Sequence, residues 1–463
     1  MDTLPLSQIA EYAGGELTSG DANRTISRIN TDSRTIQPGD FFVPIRGENF
    51  DGHRFVEQTA ERGAIGALVD REWKGNAPEN FALFRVADTL LGYQKIAAGY
   101  RKILPLKVIA ITGSNGKTST KDFVAAALGR RFRVTKTEGN FNNHVGLPRT
   151  ILDASREHEI AVWELGMNHP GEIAALAAIA GPDVAIITNV GIAHIEFMGS
   201  REAIAEEKGA LAEAVGANGT LILSADDPFS EAIARRTRAK SIFVGINSGT
   251  LRAEDISQSA SGSEFTILEG AHRCRAQLPV PGLHMVQNAI LAIAAARTFG
   301  LSIEDAAAGL ASTPLTKARL QVREIHGVQF LDDSYNANPE SMKAALRTLV
   351  ELETEGRRIA VLGHMSELGE QADRGHAEVG EAAAAFRVDQ LIGIGDLGGK
   401  MAEAARAAGL ENTTEVATPE EAAELLAETA ASGDLVLVKG SRSARTERVL
   451  EAFHKLQPAG LAR

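Results

Sequence analysis

From Lys107 onward the chain repeats one alternation: a short β-branched apolar run, then an Ala-rich stretch of helical period. The runs are KVIAIT (from Lys107), IAVWEL (Ile160), DVAIIT (Asp183), TLILSA (Thr220), VQFLDD (Val328), RIAVLG (Arg358), QLIGIG (Gln390) and DLVLVKG (Asp434). A strand that is apolar along its whole length needs cover on both faces, and strands separated by helices pair in parallel. The pattern predicts α/β architecture with parallel, doubly covered sheets. One sheet holding every run would be large. The alternation also pauses over residues 250–315, where the polar NSGTLRAEDISQSASGSE sits. We therefore expect two α/β units divided near residue 312, around STPLTKARLQ.

The segment before them reads differently. TDSRTIQPGDFFVPIRGENFDGHRFVEQTAERGAIGALVD offers short apolar pieces, turn signals such as Pro38-Gly39 and one helical stretch. A small α+β domain is expected there. The 463 residues then divide into three domains, 1–100, 101–312 and 313–463; a chain of that length exceeds one ordinary domain. No internal repeat or low-complexity tract interrupts them.

At the end of the first α/β strand stands TGSNGKTS, residues 112–119. Backbone N–H groups at a helix N-terminus, exposed by Gly113 and Gly116, attract phosphate oxygens. Lys117 reaches β- and γ-phosphates in such loops, and the Thr118 hydroxyl sits on Mg²⁺. A helix cap after a Gly turn is the bland alternative, but a Gly-Lys-Thr directly after an apolar strand favours phosphate. Only two residues separate the glycines, which moves the expectation away from GTPases and motor-type ATPases.

Further candidates end other strands, where α/β sheets place ligand-contacting residues. Glu164, in WELGMNHPGEI, suits Mg²⁺, which takes oxygen ligands; without the phosphate loop upstream it would sooner read as a helix cap or surface glutamate. His194, in TNVGIAHIEFMGS, stands near a strand's carboxyl edge. Lys208 lies beside Glu206 and Glu207, and by that charge pattern alone reads as a solvated lysine. His284 and Asn288 fall four apart at a helix start, on one face. The Asn288 amide offers a donor and an acceptor to an adenine edge or to a helix cap. Asp332 and Asp333 precede YNANPES, with Pro339 in the first turn of a helix; a ligand site and an Asx-rich turn account for them equally. The loop after Lys439, GSRSAR, is a second anion-site candidate, although in isolation it reads as a solvated helix start.

Composition excludes some classes. A net charge of −12 lacks the basic footprint of a nucleic-acid binder. Cys274 is the sole cysteine, so no intrachain disulfide forms, which fits a reducing compartment. The N-terminus MDTLPLSQIAEYAGGE has neither the basic nor the apolar region of a secretory signal. The most apolar long stretch, from Ile173, is broken by Gly181-Pro182-Asp183 and reads as a helix end plus a strand, not a membrane span. A cytoplasmic protein is expected.

Together TGSNGKTS, GNFNNHVGLPRT, ELGMNHPGEI, TNVGIAHIEFMGS, LHMVQNAILA, DDSYNANPESM and VLVKGSRSA resemble, in order and approximate spacing, the Mur ligase superfamily. The short G-x-x-G-K-T loop is a feature of that family. YNANP points to its branch that joins D-alanyl-D-alanine (D-Ala-D-Ala) to UDP-N-acetylmuramoyl-tripeptide (UDP-MurNAc-tripeptide). The DNPR signature of the diaminopimelate-adding sister is not present. The resemblance implies a UDP-binding N-terminal domain, a central P-loop ATPase-like domain and a Rossmann-like C-terminal domain that completes the ATP and D-Ala-D-Ala sites. It also implies ATP and Mg²⁺ as cofactors. Gly113, Ser114, Asn115, Gly116, Lys117, Thr118 and Ser119 would bind the triphosphate, Asn288 adenine, Arg319 the phosphates and Asp333 the ribose. Thr118 and Glu164 would hold one Mg²⁺, and His194 a second. Lys208 would be carbamylated by CO₂, giving an anion that aids metal binding. Lys117, Lys208 and His194 carry the catalytic roles by the same resemblance. Ser33, Asn49 and His53 would lie near the uridine, and Asn336 and Asn338 near the dipeptide. His144 and His364 stand where relatives more often have an acidic residue. A monomer without a transmembrane segment is expected. Two rivals remain: a folylpolyglutamate synthase-like amide ligase, and a catalytically idle ATP-binding partner.

Overall fold

The computed structural model describes residues 1–47, 49–314 and 316–456. Sheets of five, nine and six strands follow one another along the chain, beside a two-stranded pairing of Leu4–Pro5 with Thr25–Ile26. The five-stranded sheet runs Glu16–Ser19, Ala82–Val86, Gly66–Asp70, Phe41–Phe42, Ile29–Asn30, parallel except at its first pair. Glu48, next to the uridine candidate Asn49, lies outside the described residues, as do Leu315 and residues 457–463.

The nine-stranded sheet puts Lys107–Thr112 between Val184–Ile187 and Ile160–Glu164, all parallel. Val108, Ile109, Ala110 and Ile111 are fully buried, as a strand covered on both faces requires. Glu164 is level with Ile111, and Ile187 with Thr112. Three loops therefore leave one edge side by side: the phosphate loop, the turn after Glu164 and TNVGIAH. The helix Lys117–Leu128 packs against the buried, Ala-rich helix Leu283–Thr298.

Residues 251–278, where the expected alternation pauses, instead form three antiparallel strands: Leu251–Ser259, Gly262–Glu269 and His272–Leu278. They extend this sheet at one side. The first of them alternates with period two, buried with half-buried positions at its start and exposed with half-buried positions beyond Glu254. One solvated face explains the polar composition, which a search for continuous apolar runs passes over. Lys240–Gly245 and Val134–Lys136 are further strands the sequence reading omitted; the first is largely half-buried and the second is three residues long.

The six-stranded sheet runs Gln321–Ile325, Val328–Asp333, Leu435–Lys439, Arg358–Leu362, Gln390–Ile394, Thr413–Val416, parallel except at the first pair. Asp333, Lys439 and Leu362 are level, so the loops YNANPES, GSRSAR and GHMSELG share one edge. Between the two large sheets, the buried Asp122 of the phosphate-loop helix accepts hydrogen bonds from Thr316 N (3.2 Å), Thr316 Oγ1 (2.7 Å) and Lys136 Nζ (2.7 Å). No helix among the described residues is long and apolar enough to cross a membrane.

Candidate active site

The loop edges of the two large sheets face each other across a cleft of about 1130 Å³. The phosphate loop forms one wall. Gly113, at φ 149°, passes so close to Thr188 that a Cβ would lie 1.8 Å from its hydroxyl. Gly116, at φ 80°, would put a Cβ 2.4 Å from Asn288 Oδ1. Both positions demand glycine by conformation and by space. Gly116→Ala is expected to displace Asn288 and strain the loop, weakening ATP binding on the order of 10-fold or more in calorimetry. An unchanged affinity would contradict the close packing.

The loop is braced by its neighbours. Asn115 N donates to Asn189 Oδ1 (2.9 Å), while Asn189 Nδ2 and Thr188 Oγ1 donate to Asn115 O (3.0 and 2.6 Å). Gly191 N donates to Ser114 Oγ (2.8 Å). Asn338 reaches from the C-terminal sheet: its Nδ2 donates to Asn115 Oδ1 (2.7 Å), and its Oδ1 caps the helix Pro339–Glu351 through Ser341 N (2.9 Å). The Lys117 ammonium folds onto its own loop, donating to Gly113 O at 2.7 Å. Desolvation pulls its pKa below the lysine range, opposed by Glu164 and Glu367, while Arg319 lowers it further.

Thr118 Oγ1 donates to Glu164 Oε2 (2.9 Å), and Asn142 Nδ2 to Glu164 Oε1 (2.8 Å); Thr118 and Glu164 are buried. The hydroxyl and carboxylate thus meet at the helix N-terminus, as a loop that takes Mg²⁺ with a phosphate requires. No group of three His, Cys, Asp or Glu assembles among the described residues. That donor set suits a cation that keeps several waters.

His194 sits at φ 64° and Glu367, from the opposite sheet, at φ 61°. Non-glycine residues rarely adopt that region, and strain of this kind collects at functional sites. Their side chains meet across the cleft: His194 Nδ1 lies 2.5 Å from Glu367 Oε2, in a direction that makes no good hydrogen bond. The His194 contact holds the Glu367 carboxyl below its usual range.

Lys208 overturns the reading of a solvated lysine. It is 1% exposed and makes no hydrogen bond among the described residues. Desolvation, with Lys117 adding to it, pulls its pKa well below the lysine range, against Glu207. The charge-rich sequence misleads because Glu207 turns inward as well, accepting from Gly171 N and Ile173 N (both 2.7 Å) and so capping the helix Glu172–Ala180.

Lys439 is not a solvated helix start either. It is buried, and its Nζ donates to Asp333 Oδ2 (2.5 Å) and Asn336 O (2.9 Å). Asp332 serves the turn, accepting from Ser334 Oγ (2.6 Å). Asp332 thus answers to the turn reading, while Asp333 pairs with Lys439 in the cleft wall. Arg319 stacks 4.3 Å over Tyr335 with its buried Nε unpartnered, facing the cleft. Ser119 is buried in the cleft wall, and Asn336 is exposed there.

His284 also lines the cleft. Desolvation pushes its pKa down to about 4, with Asp333 raising it and Lys439 lowering it. The folded state then binds fewer protons than the unfolded chain between pH 4 and about 6.5, so stability falls as pH falls through that window. Urea unfolding is expected to show a loss of up to about 3 kcal/mol there, flattened in His284→Gln. The same slope in wild type and variant would refute it.

The N-terminal candidates lie away from this cleft. Ser33 is half-buried and Asn49 exposed. His53 is buried with both nitrogens engaged: Nδ1 meets Asp51 Oδ1 (2.7 Å), and Nε2 accepts from Asp70 N (3.1 Å). Asn142, Asn189, Glu207 and Glu367 are cleft or bracing residues the sequence reading did not single out. Only Asn189, directly after a strand, carried a positional signal.

Comparison with known proteins is consistent with this geometry. Residues 25–87 match the Mur ligase family catalytic domain, 111–296 the Mur ligase middle domain and 318–442 the Mur ligase glutamate ligase domain. The UDP-N-acetylmuramoyl-tripeptide–D-alanyl-D-alanine ligase of Bacillus subtilis is 39% identical over 96% of this chain and 97% of its own. The chain belongs to the Mur ligase family. A crystal structure of MurF from Acinetobacter baumannii superposes with a TM-score of 0.91 at 31% identity, over 98% of this chain and 100% of that one. MurF from Thermotoga maritima in complex with ADP gives 0.83 at 31% identity, over 92% and 97%. This Mur ligase also shares its fold with the folylpolyglutamate synthase of Mycobacterium tuberculosis, at TM-score 0.63 and 18% identity over 78% of this chain and 94% of that one. That likeness extends to the fold alone.

Proposed function

We infer that this Mur ligase uses ATP to join D-alanyl-D-alanine to UDP-N-acetylmuramoyl-tripeptide, giving the UDP-linked pentapeptide precursor of peptidoglycan. The observation that carries the substrate assignment is the near full-length likeness to ligases of that name. The folate-type alternative has only an 18% identical fold relative.

A carboxylate is a poor acyl donor, so the reaction first activates it. An oxygen of the tripeptide's terminal carboxylate attacks the γ-phosphorus, the bond to the bridging oxygen breaks and ADP leaves. Lys117 and the N–H groups of residues 113–119 offset the charge that builds on the transferring group. Mg²⁺, held by Thr118 and Glu164 with a second ion at His194, would supply electrophilic charge to the phosphate oxygens. The dipeptide amine then attacks the acyl carbon, the bond to the phosphate oxygen breaks, and inorganic phosphate departs with the proton released. Asn288, Arg319 and Asp333 are read as contacts for adenine, phosphates and ribose. Ser33, Asn49 and His53 are assigned to the uridine side, and Asn336 and Asn338 to the dipeptide side. Residues 1–100, 101–312 and 313–463 would then act as UDP-binding, ATP-binding and site-closing domains. Closure of the last onto the second keeps water from the acyl phosphate.

Phosphate release should require ATP, UDP-MurNAc-tripeptide and D-Ala-D-Ala together. Release with pteroyl-glutamate instead would support the folate-type rival, and no release under any combination the idle-partner reading.

A further inference from the structure

A buried cluster of charges ties the phosphate-loop helix to the segment that carries Arg319, and the reaction as derived gives it no role. Lys121 and Asp122 stand in the second turn of the helix Lys117–Leu128, and each is only 1% exposed. A carboxylate so deeply buried needs partners. Lys136 Nζ donates to Asp122 Oδ1 (2.7 Å), and Lys121 Nζ lies 3.4 Å from the same oxygen. Thr316 gives its backbone N–H and its hydroxyl to Oδ2 (3.2 and 2.7 Å). Desolvation pushes the Asp122 pKa up, but Lys121, Lys136 and Thr316 outweigh it and hold the carboxyl below its usual range. Lys121 Nζ also donates to Thr137 O (2.8 Å), and Thr137 Oγ1 accepts from Glu164 N (2.9 Å). Asp122 is therefore an anchor fixed to the same framework that holds Glu164.

Thr316 opens a strap of costly backbone. Arg319 lies three residues on, between Ala318 at φ 60° and Leu320 at φ 50°. An L side chain adopts that region at a cost, and such a conformation persists only where its surroundings over-determine it. At the far end Leu320 is fully buried and the strand Gln321–Ile325 begins. At the near end the hold is Asp122.

The guanidinium itself has little else to aim it. It stacks 4.3 Å over Tyr335 and makes no hydrogen bond among the described residues. Its charge adds to the desolvation that pulls Lys117 and Lys439 below the lysine range, so the cations around it repel it. A contact to a transferring group is sensitive to placement, and a shift of about 1 Å can cost 100-fold in rate.

We propose that Asp122 and Thr316 are a positioning pair: by tying the strap to the phosphate-loop helix they set where the Arg319 guanidinium meets the transferring phosphoryl group. This rests on the function inferred above. Asp122→Ala would strand Lys121 and Lys136 around an empty site, so the probe is Thr316→Val, which removes one hydroxyl at matched size. Single-turnover formation of acyl phosphate from ATP and UDP-MurNAc-tripeptide is compared in wild type, Thr316→Val, Thr316→Ser, Arg319→Ala and the Thr316→Val, Arg319→Ala double variant. Thr316→Val should slow the step about 10-fold, while Thr316→Ser, which keeps the hydroxyl, stays within about 2-fold. In the Arg319→Ala background the same Thr316→Val change should cost nothing further. A purely structural role would cost the same factor in both backgrounds, and that result overturns the proposal. So does a Thr316→Val enzyme as fast as wild type, or a Thr316→Ser enzyme as slow as Thr316→Val; in each case an active wild type leaves the ligase function standing. A wild-type protein that forms no acyl phosphate overturns the function and this pair together.

Discussion

Replacing Lys117 by alanine should reduce kcat/KM for ligation on the order of 10³-fold, with the fold retained. Its Nζ is spent on Gly113 O and Ser114 O (2.7 and 3.4 Å), contacts the loop can give up without exposing an apolar core. The charge matters more to the bound state. Burial already holds this ammonium below the lysine range, so a triphosphate arriving at the loop meets a poorly solvated cation that gains strongly from an anion. Removing it leaves backbone N–H dipoles to face the transferring phosphoryl group alone. Lys117→Arg should recover little, because a planar fork does not fit where a compact ammonium lies over the loop carbonyls. Single-turnover formation of acyl phosphate, trapped with hydroxylamine, isolates this step. Ligation within a few-fold of wild type in Lys117→Ala would sink the phosphate-loop assignment.

Much of this was legible in the chain because it is local. Gly113, Gly116, Lys117 and Thr118 lie within six consecutive residues, and their geometry follows from a strand ending and a helix beginning. The eight apolar runs were readable for the same reason: a doubly covered strand writes its burial at every position. What was not readable depends on register and on distant partners. Leu251–Ser259 and His272–Leu278 are exposed or half-buried at most positions, so their apolar signal is diluted. Glu367 meets His194 only because Arg358–Leu362 and Leu435–Lys439 run level and bring GHMSELG to the cleft edge. Lys439 acquires its partner from a strand more than 100 residues earlier, and in isolation its loop has the composition of a solvated turn. Charge pattern is the weakest of these signals. It assigned Lys208 to solvent because it cannot see which way a helix face turns.

Lys208→Ala should lose on the order of 100-fold or more in kcat, and added formate or acetate should restore a measurable part of it. The side chain is buried against the charge of Lys117 and has no hydrogen-bond acceptor of its own among the described residues. As an ammonium it would be an uncompensated cation beside another, an arrangement that costs several kcal/mol. The same desolvation favours the free amine over the ammonium, and a free amine is the nucleophile that CO₂ requires. Its nitrogen would bond to the carbon, one proton would leave to solvent, and the product would be an anion facing the Lys117 ammonium. A small carboxylate diffusing into the space left by alanine supplies that charge without the covalent link. The modification has its own readout. Wild-type protein equilibrated with carbon-13 bicarbonate should show a carbamate resonance that Lys208→Ala lacks, with or without ATP. Full activity of Lys208→Ala in carboxylate-free buffer, or a wild-type spectrum without that resonance, would remove Lys208 from the catalytic scheme.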